Sequence, residues 1–436
     1  MAIKGFEAAT AARTAAAPLA LDESQVAVIE LADAASAAVL GAPGTGKTAT
    51  IVELIADRVL GRGWSADELV VLTPNRLSAT TLRDRLAVRL GVATNGPLAR
   101  TVNSLAFEIV GHAARAAGAD QPRLVTGGEQ DSDIAQLLEG HLELGIGPDW
   151  PELLAPEVRR LRGFRTELRE LMARATEFDV SPARLRALGQ SQARPEWLAA
   201  ADFIDDYVRT TSAFRERQFD SAEIARYAVA AIDAGDPGER AARLRLVVID
   251  DLQEATESTM AILRALARRG VAVIAFGDPD VATNAFRGGE PDALGRFGAV
   301  LGVPGVQTLY LSTAHRQRAA LREFTGTITR RIGTAAAGRQ RAANARPVDV
   351  TAPDEAPMQA PIAVLHAQSP ARQWTAVARQ LREQHLLHGI AWGEMAVVVR
   401  SSEQIPAIRR SLALAGAWCS PVLRLHRLVL SGPGLC

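Results

Sequence analysis

The chain has 436 residues, 48% of them hydrophobic, and this length predicts about three domains with sizeable cores. Its 49 basic and 49 acidic side chains cancel, which excludes a global electrostatic field for nucleic acid or membranes and leaves only local patches. The two cysteines, Cys419 and Cys436, exclude a disulfide framework, and no apolar run approaches the roughly 18 residues of a membrane span, so we expect a cytoplasmic protein.

The first predicted strand, residues 36–40, leads into a glycine-rich loop and then into a predicted helix. This stretch matches in full the phosphate-binding pattern GxxxxGK followed by Ser or Thr. Its members are Gly41, Ala42, Pro43, Gly44, Thr45, Gly46, Lys47 and Thr48. Subtracting Lys4 and Lys47 from the 49 basic residues leaves 47 arginines, so a lysine has been retained here in a chain that otherwise uses arginine.

The residue types of this loop fit the binding of ATP. Glycines let backbone N–H groups converge on phosphate oxygens, and the helix N-terminus adds a favourable dipole. The ammonium group of Lys47 reaches the β and γ phosphates as a compact charge, for which a planar guanidinium has the wrong shape. The hydroxyl of Thr48 is the expected ligand of Mg²⁺. A chance glycine-rich turn is the alternative, which the flanking strand and helix disfavour.

Further continuous apolar runs predict parallel strands that are covered on both faces. They occupy residues 68–73, 244–251, 271–278 and 306–312. Between 106 and 243 no comparable run occurs, and amphipathic patterns predict helices instead, for example over 133–144 and 156–175. This gap is too long for a βα connection, so we expect a helical domain inserted into the first α/β domain.

The strand at 244–251 ends in Asp250 and Asp251, which we expect to lie beside the P-loop strand. Asp250 can hold the shell of Mg²⁺, and Asp251 can orient or deprotonate the attacking water. Gln253 follows in the next turn. An ordinary helix N-cap is the alternative, since aspartate is favoured there, but the P-loop upstream disfavours it.

A second α/β domain is predicted to begin near residue 301. Strand-like runs at 362–367 and 394–401 flank a predicted helix over 370–386, after an Ala-, Pro- and Arg-rich linker at 335–361. Beyond Glu403 no acidic residue occurs, and the last 20 residues fit no element well. We expect a truncated or frame-shifted end, with a natural basic tail as the alternative.

Segments in the order P-loop, DDLQEA, GDPDVATNAFRGG and LSTAHRQ resemble superfamily 1A DNA helicases of the UvrD/Rep/PcrA type over roughly residues 21–400. The resemblance implies an α/β fold, with a RecA-like P-loop parallel sheet, an inserted helical domain and an incomplete second RecA-like domain. Its implied divisions are an extension 1–20, domain 1A in 21–105 and 216–300, the insertion 1B in 106–215, part of domain 2A in 301–416, and an aberrant tail 417–436. Within the superfamily, the chain is most similar to the actinobacterial AdnA/AdnB helicase–nuclease pair, which implies single-stranded DNA as a partner and a second helicase subunit in a heterodimer.

The same resemblance implies site residues beyond the P-loop. Gln25, in LDESQVAVI, takes the place of the adenine-reading glutamine, and His315 takes that of a residue stacking on adenine. Arg316 matches the arginine finger that reaches the γ-phosphate. Implied contacts to single-stranded DNA are Thr73, Asn75, Arg76, Asn103, Ser104, Phe286 and Arg287. Plain alternatives stay open for these residues: helix caps for the polar ones, core packing for Phe286 and a solvated surface for Arg316.

The chain also departs from the family pattern. Asp251 stands where a glutamate is usual, which predicts slower hydrolysis, and Val281 stands where a glutamine senses the γ-phosphate. Other departures are Ala49, Asn103, Asn284 and the pair Ala314 and His315. The late motifs of the second domain and a nuclease module are not found in the sequence. One interpretation is therefore a weak helicase motor in DNA repair or recombination, and the other is a nucleotide- and DNA-binding subunit or fragment that turns over little alone.

Overall fold

The computed structural model describes residues 17–92, 94, 96–212, 218–283, 285, 288–317, 319–333, 336–345, 362–414, 416, 418–420 and 427–431. The chain divides into two compact units, residues 1–348 and 349–436. None of the helices in these described ranges has the length and apolar character that crossing a membrane requires.

The strands are β1 (Ala37–Leu40), β2 (Leu69–Thr73), β3 (Ala99–Thr101), β4 (Arg123–Leu124), β5 (Gln218–Phe219), β6 (Leu246–Ile249), β7 (Ala272–Gly277), β8 (Gln307–Tyr310), β9 (Thr313–Ala314), β10 (Asn344–Ala345), β11 (Ala396–Val398), β12 (Trp418–Ser420) and β13 (Arg427–Ser431). The helices of the first unit are α1 (Glu23–Ile29), α2 (Lys47–Ala56), α3 (Arg76–Leu90), α4 (Val102–Ala116), α5 (Gly127–Leu144), α6 (Pro156–Arg159), α7 (Arg162–Glu177), α8 (Pro182–Ser191), α9 (Pro195–Ser212), α10 (Ser221–Asp233), α11 (Glu239–Arg243), α12 (Glu257–Arg268), α13 (Phe297–Leu301) and α14 (Ala319–Thr329). Those of the second unit are α15 (Pro370–His388) and α16 (Ile405–Leu414).

A six-stranded parallel sheet in the order β3-β2-β6-β7-β1-β8 forms the centre of the first unit. Alternate strand residues enter two different cores, as the period-2 geometry of a strand requires. Leu40 and Leu72 pack on one face with α4, α10 and α12, whereas Val39 and Val71 pack on the other with α2 and α3. The predicted α/β fold is confirmed, and β1, β2, β6 and β7 are buried as predicted, whereas β8, at the edge of the sheet, is exposed or half-buried.

Several predicted elements differ in detail. β3 was not predicted, because three residues carry too little apolar pattern to stand out. β8 pairs with β1, so the first sheet extends beyond residue 301, where a second domain was predicted to begin. The helix predicted over 156–175 is broken between α6 and α7, because Leu161 has an extended backbone. The guanidinium of Arg165 donates to the carbonyl of Arg160 at this break.

The region between α4 and α10 is helical, as predicted, apart from the two-residue pairing of β4 with β5. It has its own hydrophobic core, in which Ile134, Leu168 and Phe203 are fully or nearly buried. α10 packs against both α4 and α12, which joins this region to the sheet.

In the second unit, α15 confirms the predicted helix, while residues 362–367, predicted as a strand, form no regular structure. β13 pairs antiparallel with β11 and β12, in place of the parallel strands expected of a RecA-like domain. The tail predicted to fit no element thus contributes two strands, β12 and β13.

Candidate nucleotide and nucleic-acid site

The P-loop connects the end of β1 to the start of α2. Gly44 and Gly46 have φ of +87° and +83°, a left-handed backbone that glycine adopts without strain. A Cβ on Gly41 would lie 2.4 Å from Oγ1 of Thr45, which is fully buried and donates to the carbonyl of Ala42 at 2.8 Å. These contacts within the loop therefore fix its backbone conformation, and Pro43 is exposed at its tip.

Lys47 and Thr48 form the first turn of α2, where backbone N–H groups have no partner within the helix. Nζ of Lys47 donates to the carbonyls of Gly41 and Ala42, at 2.6 and 3.4 Å. Both side chains are half-buried. The ammonium group is thus kept inside the loop, and the positive end of α2 points to the same place.

The acidic strand end does not lie beside the P-loop strand, contrary to the prediction. β7 lies between β1 and β6, because it pairs with both. The three strands are parallel, so their carboxyl ends still meet at one edge of the sheet. This order brings a further carboxylate, Asp278 at the end of β7, between Lys47 and Asp250.

The charge of Lys47 affects the pKa of both Asp250 and Asp278. Burial and the neighbouring Asp251 raise the pKa of Asp250 to about 7, while Lys47 acts in the opposite direction. Burial also raises the pKa of Asp278, against the backbone N–H of Asp280 and the charge of Lys47. The ammonium group of Lys47 therefore acts on two carboxylates that terminate adjacent strands.

Gln253 connects the two strand ends. Its side chain is 2% exposed; Nε2 donates to Oδ1 of Asp251 at 3.1 Å, and Oε1 accepts from the backbone N–H of Asp278 at 3.0 Å. A Cβ on Gly277 would lie 2.4 Å from that oxygen. Because both ends of its amide are occupied, Gln253 positions Asp251 rather than pointing freely into the site.

Around this site, two buried carboxylate oxygens lack a partner in the described structure, Oδ2 of Asp278 and Oε2 of Glu254. Oxygen atoms of this kind, together with Asp250, are the ligands and water acceptors that a hydrated Mg²⁺ prefers. The residues present therefore fit a magnesium–triphosphate group, with Thr48 and Asp250 as its expected protein ligands. Sequence reasoning missed Asp278 and Glu254, although Asp278 closes a predicted strand.

Gln25 lies against the P-loop: its Nε2 donates to Oγ1 of Thr50 at 3.1 Å, and a Cβ on Gly46 would lie 2.4 Å from the same nitrogen. Its Oε1 accepts from the backbone N–H of Asp22, as part of a capping box at α1. The side chain is 2% exposed, so reading an adenine edge requires exchange of these bonds.

His315 and Arg316 approach the P-loop from β9. The backbone N–H of His315 donates to the carbonyl of Gly44 at 2.9 Å, and its Nε2 lies 2.8 Å from Oδ2 of Asp22. A Cβ on Gly44 would lie 3.5 Å from Cβ of Arg316. The Arg316 side chain is exposed and has no partner in the part of the chain that the structure describes. The backbone of Arg316 thus lies next to the P-loop, since the residue before it bonds to Gly44.

A cavity of about 430 Å³ borders the acidic strand end. Its walls include Asp250, Asp251, Thr73, Asn103 and Glu177. Two residues predicted to contact DNA therefore share a cleft with Asp251, the predicted catalytic carboxylate, and Asp250, the predicted ligand of Mg²⁺.

Bonds to neighbouring residues occupy several of the side chains predicted to contact DNA. Oγ1 of Thr73 donates to the carbonyl of Asn75, whose side chain caps α3. The hydroxyl of Ser104 accepts from Arg100. Arg76 is exposed and has no side-chain partner in the described ranges. Phe286 and Arg287 lie outside the described residues, as does Asn284.

The structure shows the surroundings of three residues that depart from the family pattern, Val281, Ala49 and Asn103. Val281 is 39% exposed and Ala49 is half-buried, so neither is fixed by the core. Asn103 donates from Nδ2 to Oγ of Ser221 at 3.1 Å, linking α4 to α10.

Comparison with known proteins agrees with this geometry. The model of the UvrD/REP helicase N-terminal domain matches residues 21–299, which is more than half of the chain. No curated protein matches the chain significantly. The matched range includes the P-loop, the acidic strand end and the residues around the cavity, and on these grounds the chain belongs to the UvrD/REP helicase N-terminal domain family.

Proposed function

We propose that the chain is an ATP-dependent DNA helicase or translocase subunit that acts on single-stranded DNA in repair or recombination. It would use ATP with Mg²⁺ and work as a weak motor in a cytoplasmic helicase–nuclease complex, with a second helicase subunit as its partner. Membership of the UvrD/REP family supports the general activity. The nucleotide chemistry is argued from the residues of the site, and the repair role and the second subunit from the sequence resemblance to helicase–nuclease pairs.

The observation that carries the proposal is the shared cleft. Asp250 and Asp251 line the same cavity as Thr73 and Asn103, so the carboxylates proposed for hydrolysis and two residues proposed for DNA contact border one space. A motor needs this arrangement, because the bound nucleotide can alter the grip on DNA only through groups that reach both.

In the proposed mechanism, backbone N–H groups of the P-loop and the ammonium of Lys47 hold the β and γ phosphates. Bound Mg²⁺ would neutralise charge that develops on the phosphate oxygens. Asp251, held by Gln253, orients the attacking water and accepts its proton. Arg316 then stabilises the transition state from the opposite side of the loop, a contribution of about 10³–10⁵ in rate for such fingers.

Two residues support a weak motor. Valine at 281 cannot hydrogen-bond a phosphate, so the step that links nucleotide state to DNA grip loses one contact. Asp251 is one methylene shorter than glutamate and reaches the water less easily. The same observations favour the second candidate function, a subunit or fragment that binds nucleotide and DNA with little turnover.

The test is steady-state ATP hydrolysis with and without a single-stranded oligonucleotide. We expect stimulation of the wild-type chain by DNA, and loss of that stimulation in Arg76→Ala and Asn103→Ala with unchanged basal turnover. Loss of the cationic phosphate contact in Arg76→Ala should also reduce the salt dependence of DNA binding by about one unit of slope.

Arg85→Ala is the matched control, because Arg85 is exposed on the same helix as Arg76 but nine residues further along, on the opposite face. It should leave stimulation and the salt slope unchanged. Binding of ATP and DNA without any stimulated hydrolysis would favour the non-motor subunit, and absence of DNA binding would contradict both readings.

A further inference from the structure

An ion pair between Asp280 and Arg341 lies outside the nucleotide-contacting residues. Nε of Arg341 lies 2.7 Å from Oδ2 of Asp280, and Nη2 lies 2.5 Å from Oδ1, so the guanidinium binds the carboxylate with two parallel bonds. The side chains are only 5% and 15% exposed, for Asp280 and Arg341 respectively. Gln340, 1% exposed, adds a bond to Oδ2 of Asp280. Paired guanidinium and carboxylate groups of this geometry fix orientation as well as charge.

Arg341 belongs to a segment, residues 336–345, that we call the strap. The strap follows α14 in the chain and ends in β10, which pairs with β9 at Thr313 and Ala314. From α14, Arg322 donates to the carbonyls of Ala343 and Arg341, so the strap is attached to this helix as well. β9 is followed at once by His315 and Arg316. The position of the strap therefore determines where the proposed finger leaves the sheet.

On its other side, Asp280 is connected to the acidic strand end. Its backbone N–H donates to Oδ1 of Asp278 at 3.1 Å. The backbone N–H of Asp278 donates in turn to Gln253, which donates to Asp251. A continuous series of bonds therefore runs from Asp251 through the ion pair and the strap to the residues that face the P-loop.

We infer that Asp280 and Arg341 are positioning residues for Arg316. The ion pair holds the strap, the strap holds β9, and β9 aims the guanidinium of Arg316 at the mouth of the P-loop. The ion pair also lies next to Val281 in the chain. A charged contact is therefore adjacent to the position where valine replaces the phosphate-sensing glutamine of the family pattern. This inference rests on the proposed function, because it assigns Arg341 a role in hydrolysis through the finger.

The test is a double-mutant cycle on ATP hydrolysis with Arg316→Ala, Arg341→Met and the double variant. Misplacement of a group by about 1 Å can lower turnover by roughly 10²-fold, so we expect Arg341→Met to lower kcat about 10- to 100-fold with little change in KM for ATP. Because Arg341 acts through Arg316, the double variant should be no slower than Arg316→Ala. Arg341→Lys keeps the charge without the two parallel bonds and should give an intermediate kcat.

Arg89→Met is the matched control, because the ion pair of Arg89 with Glu53 has the same exposed fractions, 15% and 5%. It should lower thermal stability to a similar extent and leave kcat unchanged. If Arg341→Met keeps wild-type kcat, or if its effect multiplies with that of Arg316→Ala, the positioning role is wrong. If Arg316→Ala alone leaves kcat unchanged, the proposed function fails first and the positioning role fails with it.

Discussion

Asp251 occupies an unfavourable position for two separate reasons. Its φ of +54° is left-handed, which non-glycine residues adopt rarely, although aspartate tolerates it better than most. Its carboxylate also repels that of Asp250, whose pKa is raised mainly by burial. Asp251 lowers the stability of the fold for both reasons, so its presence is better explained by a role in catalysis than by a role in folding.

This reasoning predicts opposite effects of Asp251→Asn on activity and stability. Asparagine keeps the size and the left-handed backbone but removes the proton acceptor, so kcat should fall about 10²- to 10³-fold. The melting temperature should rise, because the repulsion with Asp250 disappears. Hydrolysis assays and thermal unfolding of the same preparation measure both, and unchanged turnover would exclude Asp251 as the base.

Glu177, on α7, gives a prediction that depends on pH. Burial raises its pKa, against hydrogen bonds from Thr256 and Ser258 and the charge of Arg174. A carboxyl group with a folded pKa above its unfolded value stabilises the fold at low pH, and this contribution is lost as the pH rises through the folded pKa. Glu177→Gln keeps an acceptor oxygen for the two hydroxyls and cannot ionise.

We therefore expect Glu177→Gln to raise the melting temperature near neutral pH by about 1–2 °C and to have a smaller effect near pH 4. Thermal unfolding of both proteins at the two pH values measures this. A larger gain at the acidic pH than at the neutral one would show that the sign is wrong.

Among the strands, β7 determines the geometry of the site more than its sequence suggests. It separates the P-loop strand from the acidic strand and ends in Gly277, directly before Asp278. A Cβ at Gly277 would lie 2.4 Å from Oε1 of Gln253 and 2.5 Å from Cδ1 of Leu294. The absence of a side chain here allows the amide of Gln253 to cross between the two strand ends.

Gly277→Ala should therefore destabilise the protein by about 1–3 kcal/mol through overpacking and lower kcat by displacing Gln253. Chemical denaturation and ATP hydrolysis measure the two effects. Gly140→Ala, in the interior of α5 with nothing within 4 Å of the added Cβ, is the control and should be neutral or stabilising. Equal behaviour of the two variants would contradict the role assigned to Gly277.

The elements of the first unit were largely predictable, and the reason is local. Continuous apolar runs identify buried parallel strands because each strand must satisfy both faces by itself. The order of the strands was not predictable, since the pairing of β7 with β1 joins residues more than 200 positions apart. The prediction of a strand at 362–367 is wrong, because its apolar residues have no sheet to enter in the described structure.

Across the first unit, the candidate site combines segments that are distant in the chain. The P-loop could be recognised because its eight residues are contiguous and their spacing has a chemical reason. The ion pair of Asp280 with Arg341 could not, because 61 positions separate the two residues and Arg341 belongs to no recognisable pattern. The family match ends at residue 299, whereas His315 lies beyond it and still bonds to the P-loop.

The central claim is that Lys47 and Asp250 act on one bound triphosphate, and ATP hydrolysis by Lys47→Ala, Asp250→Asn and the double variant tests it most directly. Groups that act as a unit are strongly non-additive, so each single variant should lose nearly all turnover and the double variant should be no slower than the slower single one. Wild-type turnover in either single variant, or effects that multiply in the double variant, would contradict the account.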